Sequence, residues 1–159
     1  MKIELKRLSE VKKSMIIELM NNQLVRRQMP LLTEYFNESM CDAFIATKEQ
    51  LWAENGYGPW AFIVNGQFAG WGGLQPEKGE VDLALVLHPD YWGLGKFIYH
   101  QIIDKAFNEM QLKSVTVLFP PTRTRTKGLI RLGFKEDGEL EIENRRFIRY
   151  RIENPNHNA

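Results

Sequence analysis

Alternation opens the chain. In residues 2–8 the apolar Ile3, Leu5 and Leu8 sit among charged neighbours, which predicts a first strand. The spacing then lengthens: Val11, Met15, Ile16, Leu19 and Met20 fall at helical intervals, with Ser9 as the expected cap, until Pro30 breaks the pattern. A second helical region is expected from about Thr33 to Asn55, with Tyr35, Phe36, Met40, Phe44, Ile45 and Leu51 apolar and Gly56 and Gly58 as stops. Two β-prone runs, 60–64 and 67–71, are joined by Asn65-Gly66, a strong hairpin signal. A turn at Pro76 to Gly79 leads into the apolar strand 81–87. A helix after Gly95 would turn Ile98, Ile102, Ile103, Ala106, Phe107 and Met110 inward. Ser114 to Phe119 reads as a strand ended by Pro120-Pro121. A short helix, about Thr124 to Leu132, closes on Gly133, and two β segments, roughly 134–142 and 146–152, meet at Glu143-Asn144. The predicted order is β-α-α-β-β-β-α-β-α-β-β. With no repeat or linker, residues 1–159 read as one α/β domain.

Composition narrows the class. The 159 residues are 43% apolar and 26% charged with a net charge of +1, enough for a real core and without the basic excess of a nucleic-acid or membrane-surface binder. One cysteine, Cys41, excludes an intrachain disulfide, and no Cys/His spacing suggests a metal site. The charged opening MKIELKRL does not read as a secretory signal, and no apolar run approaches the roughly 20 residues of a membrane span. The expected setting is cytoplasmic.

The most informative stretch is His88-Pro89-Asp90-Tyr91-Trp92-Gly93-Leu94-Gly95-Lys96, where strand gives way to helix. The first amides of a helix lack intrahelical acceptors and carry the positive end of its dipole, so they attract anions. Glycines there would admit a phosphate and adopt dihedrals that a Cβ forbids. The alternative is that Gly93 and Gly95 simply make a tight connection. A Walker loop is excluded, because Phe97 replaces its hydroxyl and Asp90 its first glycine. A dinucleotide fingerprint is excluded too, for want of a third glycine and of a position near the start of the fold.

This loop, the order of elements and the late Arg131-Leu132-Gly133-Phe134 together resemble the GNAT superfamily of acyl-CoA-dependent N-acyltransferases. The loop is similar to the P-x-Y-W-G-x-G of the branch that includes the ribosomal-protein N-terminal acetyltransferases. The resemblance implies a mixed, mostly antiparallel central sheet of about seven strands flanked by about four helices. It implies acetyl-CoA in a cleft where strands 81–87 and 114–119 splay, with its pyrophosphate on the amides of roughly Leu94 to Ile98, including Gly95, Lys96 and Phe97. Trp92 and Gly93 belong to the same loop, and pantetheine would pair with the backbone of Leu85, Val86 and Leu87. Upstream of the later helix the branch's Asn and Ser correspond to Thr122 and Arg125, cofactor-side positions that depart from the pattern. Phe97 departs as well, standing where the consensus wants Gly or Ala; the phosphate site would survive it if the ring turned toward the core.

The implied reaction is acetyl transfer to a primary amine by direct attack in a ternary complex, with no metal. An alkyl ammonium of pKa about 10.4 must lose a proton first, and charge on the thioester oxygen must meet a waiting donor. Asp82 is the only carboxylate well inside the apolar strand 81–87 and matches a family Glu that removes that proton; being shorter, it would work through a water. Glu80 is the substitute. The backbone N–H near Val86 is the implied oxyanion donor. Leu129 occupies the place of the family's tyrosine acid, which leaves open a non-catalytic acyl-CoA sensor or scaffold, with Thr122 or Thr124 as assisting hydroxyls otherwise.

Charge is uneven along the chain. Every charged residue from 113 to 135 is basic, whereas 31–56 carries Glu34, Glu38, Asp42, Glu49 and Glu54 against Lys48 alone, which suggests steering of a cationic acceptor. The acceptor is a small-molecule amine, a lysine or a protein N-terminus, and the assembly a monomer or homodimer. His88 reads as a turn residue, Cys41 as core, and Trp60 and Trp71 as packing or acceptor lining.

Overall fold

The computed structural model of the chain describes residues 1–29, 32–123 and 126–157. Seven strands follow one another as β1 (Ile3–Lys6), β2 (Pro59–Val64), β3 (Gln67–Glu77), β4 (Glu80–Leu87), β5 (Ser114–Phe119), β6 (Lys135–Ile142) and β7 (Arg145–Glu153). The helices are α1 (Lys13–Asn21), α2 (Gln23–Arg27), α3 (Glu38–Asn55), α4 (Gly95–Asp104) and α5 (Lys127–Leu132). The sheet order is β1-β2-β3-β4-β5-β7-β6, and of the pairings described only β4 with β5 is parallel. The expected mixed, mostly antiparallel sheet is present; helix α2 is the addition to the expected order. No described helix is long and apolar enough to cross a membrane.

Two compact units divide the chain, residues 1–75 with 85–95 and residues 76–84 with 96–159. In the first, β1 pairs β2 from Ile3↔Val64 to Lys6↔Ala61, and β2 pairs β3 across the predicted turn, where Asn65 (φ +49°) and Gly66 (φ +84°) both take the left-handed conformations a two-residue hairpin needs. Its core gathers Leu8, Ile16, Leu19, Met20, Val25, Phe36, Cys41, Ala61 and Trp71. Cys41, Trp60 and Trp71 are all buried, as packing requires: Trp71 lies edge-on to Phe44 at 4.8 Å, and Trp60 edge-on to Trp52 at 5.1 Å.

Local chemistry corrects several boundaries. Ser9 lies in a short 3-10 turn, Leu8–Glu10, and does not cap α1, whose N-cap is Lys12. Asn22 starts α2 by accepting from the amides of Leu24 and Val25. The next helix begins at Glu38, not Thr33, because Asn37 accepts from Met40 N at 2.8 Å; Gly56 in the left-handed region ends it. Pro30 lies outside the described residues.

In the second unit β5 pairs β7 along its whole length, Ser114↔Glu153 to Phe119↔Ile148, and β7 pairs β6. Glu143 (φ +50°) and Asn144 (φ +65°) form the predicted turn between the last two strands. Pro76 belongs to β3, and the turn before β4 is Lys78-Gly79, both at positive φ. Ile98 and Ile102 of α4 are fully buried, but the helix changes to a π-type turn over Lys105–Glu109, so the inward stripe is continued by Ala106 and Phe107 in that turn. Gly133 (φ +108°) closes α5, as expected.

Candidate active site

Strand β4 holds both candidate carboxylates, Glu80 and Asp82. In the second unit its first half meets β5 at Asp82↔Thr116. Asp82 is 3% exposed, and the Thr116 hydroxyl donates to its Oδ1 at 2.8 Å. Removal from water penalises the carboxylate more than that one hydrogen bond and the Arg149 charge compensate, and the Glu77 charge adds to the penalty; the Asp82 pKa is pushed up to about 7. A carboxyl so placed exchanges a proton near neutrality, which suits a general base.

Glu80, two residues earlier, is differently occupied. Arg151 donates to it and also to Ser114 Oγ at 2.8 Å, and this hydrogen bond holds the Glu80 carboxyl below its ordinary range. A carboxylate stabilised in this way is a weaker base than Asp82. On α4, the phenol of half-buried Tyr99 is pushed up to about 12 by its removal from water, with the Arg123 charge opposing and the Asp82 charge adding to that rise.

In the first unit the second half of β4 runs into the glycine loop. An ideal Cβ on Gly70 (φ +154°) would lie 2.1 Å from the Val86 carbonyl oxygen, so only glycine allows β3 to approach Val86 this closely. Trp92 Nε1 donates to the Leu87 carbonyl at 2.8 Å, and His88 Nδ1 accepts from Asp90 N at 3.1 Å, the turn role expected of it. Residues Pro89–Leu94 make a 3-10 turn, with the Gly95 amide bonded to Trp92 O.

Neither loop glycine takes the dihedrals that a Cβ would forbid. Gly95 has helical angles (φ −52°, ψ −46°), and Gly93 is not in the positive-φ region either. What they provide is bareness: a Cβ added at either would meet nothing within 4 Å, leaving the backbone open to a ligand arriving from outside. That surface suits the close approach of a diphosphate.

A family profile described as an acetyltransferase (GNAT) domain matches residues 2–135. The chain belongs to that family. Solved structures agree in fold: an acetyltransferase of the GNAT family from Bacillus anthracis superposes with TM-score 0.77 at 16% identity, covering 97% of this chain and 96% of that one. An acetyltransferase from Agrobacterium tumefaciens gives 0.75 at 15% identity, covering 94% and 89%. A mutant of the Vibrio cholerae spermidine N-acetyltransferase SpeG gives 0.71 at 15%, covering 99% and 98%.

Other positions of this GNAT domain fall as follows. Phe97 does not turn toward the core: it is 49% exposed, with the Lys96 ammonium 5.1 Å from its ring. The reason is the helical period, because Ile98 and Ile102 own the inward stripe and Phe97 precedes it by about 100°. Thr122 is exposed in the turn after β5, where Arg123 stacks on Phe119 at 3.9 Å. Thr124 and Arg125 lie outside the described residues. Leu129 is buried, so that position offers no acid. Asp42 and Glu49 are paired with Lys13 and Arg7, which makes the acidic stretch less negative than its sequence count. Among the described residues no group of His, Cys, Asp and Glu is arranged to hold a metal. Sequence reasoning missed Thr116; its signal was a hydroxyl at the centre of an apolar strand.

Proposed function

We propose that the chain, as one acyltransferase domain over residues 1–159, moves the acetyl group of acetyl-CoA to a primary amine by direct attack in a ternary complex. The observation that carries the reading is Asp82: a buried carboxyl, held by Thr116, whose pKa of about 7 fits proton removal from an ammonium near neutral pH. Acetyl-CoA supplies the activated acyl group. Of the amides from Leu94 to Ile98, that of Gly95 already donates to Trp92 O, so the others, with Trp92 and Gly93 in the same loop, would receive its diphosphate, and the bare surface at Gly93 and Gly95 favours that approach. The backbone of Leu85, Val86 and Leu87 would align the pantetheine, and the Val86 amide would meet charge on the thioester oxygen. Thr122, exposed in the turn after β5, would border the cofactor's phosphates. Glu80 is left out as base because Arg151 already stabilises its charge.

The ribosomal-protein-like loop keeps protein N-termini among the acceptors, and likeness to a spermidine N-acetyltransferase keeps polyamines there. The proposed setting is cytoplasmic. A panel of amines incubated with acetyl-CoA, with free thiol as readout, tests the reading. Thiol release with at least one amine supports it. Thermal stabilisation by coenzyme A without release for any amine would instead mark a non-catalytic binder, the alternative that buried Leu129 favours.

A further inference from the structure

In the second unit, polar side chains cross four strands on one face. The registers Asp82↔Thr116 and Thr116↔Arg151 align β4, β5 and β7. Arg151 is held at two of its nitrogens, Nη1 donating to Glu80 and to Ser114 and Nε, at 2.9 Å, to Asp137 Oδ2. Asp137 reaches the arginines because β6 bulges between Glu136 and Glu139, with Gly138 at φ +88° absorbing the turn.

Arg149 is the less engaged of the two arginines. Its Nε donates to the Asp137 carbonyl at 3.1 Å and to Oδ2 at 3.2 Å. Among the described residues neither of its Nη atoms has a hydrogen-bond or ion-pair partner, although the side chain is only 27% exposed. A guanidinium anchored through Nε presents its remaining N–H groups as a planar edge matched to a carboxylate. Arg149 pairs with Leu118, two residues beyond the Thr116 that holds Asp82. At sheet spacings of about 4.8 Å between strands and about 3.3 Å per residue, its Cα lies roughly 12 Å from that of Asp82. Side chains from both ends close that gap to the length of an amino-acid-sized molecule, and the Arg149 charge is felt at the Asp82 carboxyl.

We infer that Arg149 is the acceptor-recognition residue, its free Nη edge receiving a carboxylate borne by the same molecule whose amine is deprotonated through Asp82. The acceptor class is therefore amino acids and other zwitterionic amines, in preference to polyamines. This rests on the acetyl-transfer reading above.

The test is thiol release with a series of ω-amino acids, their amides and a polyamine, for the parent, Arg149→Gln and Arg149→Lys. The parent should favour the acid over its amide by about 10- to 100-fold in kcat/KM at the best chain length. That ratio should collapse toward one in Arg149→Gln and be partly kept in Arg149→Lys, with coenzyme A binding showing that each variant is folded. A parent ratio near one, a preference for the polyamine, or a ratio unmoved in both folded variants would overturn the inference and leave acetyl transfer standing. Silence with every amine would remove both.

Discussion

Asp82→Asn separates function from stability. The side chain keeps its shape, and Oδ1 still accepts from Thr116. In the parent, the folded-state pKa is raised from 3.8 to about 7, so between those values the native protein holds a proton that the unfolded chain has released. The stability tied to that proton is fully present below about pH 4 and is lost as pH rises through about 7. A shift of about three units corresponds to about 4 kcal/mol as a ceiling, since one unit is about 1.4 kcal/mol. The variant never bears the buried charge. It should match the parent at or below about pH 4 and be more stable at pH 8, with a Tm advantage on the order of 10 °C at most for a chain of this size. Turnover should fall roughly 10²- to 10⁴-fold while coenzyme A affinity is kept. Thermal melts at about pH 4 and pH 8, with calorimetry for coenzyme A, check each part. A Tm difference that does not change with pH would refute the burial argument. Retained turnover would refute the role as base.

Three more perturbations follow from the geometry. Gly95→Ala adds a methyl into open space at helical angles, so stability should hold or rise by about 0.5–1 kcal/mol, whereas coenzyme A affinity should drop about tenfold or more if the diphosphate approaches there; unchanged affinity on calorimetry would move the anion site elsewhere. Gly70→Ala drives a Cβ against the Val86 carbonyl and should lose about 1–3 kcal/mol in urea titration, with turnover falling further than coenzyme A affinity; a neutral result would deny the close β3–Val86 contact. Glu80→Gln removes the charge that pairs with Arg151 while keeping an acceptor oxygen, and should lower stability by about 1 kcal/mol with turnover within about threefold of the parent; a hundredfold loss would return Glu80 to candidacy as base.

The strands, the main helices and the two hairpin turns were readable from the chain because period and turn chemistry are local. Asn65-Gly66 and Glu143-Asn144 need only their own dihedrals, and the Ile98/Ile102 stripe only the helical repeat. Boundaries governed by caps were less legible: Asn37 and Asn22 compete with other polar residues nearby, and only their hydrogen bonds choose between them. The loop's similarity identified a family, and the residues alone marked Asp82 as odd, a carboxylate in an apolar strand. Tertiary structure decided the rest. Thr116 comes from 34 residues away to hold Asp82, Arg151 comes from 71 residues away to occupy Glu80, and the β6 bulge fixes one end of Arg149 and leaves the other unused. Desolvation and ion pairing depend on which distant strands become neighbours, and that dependence has no local signature in the order of residues.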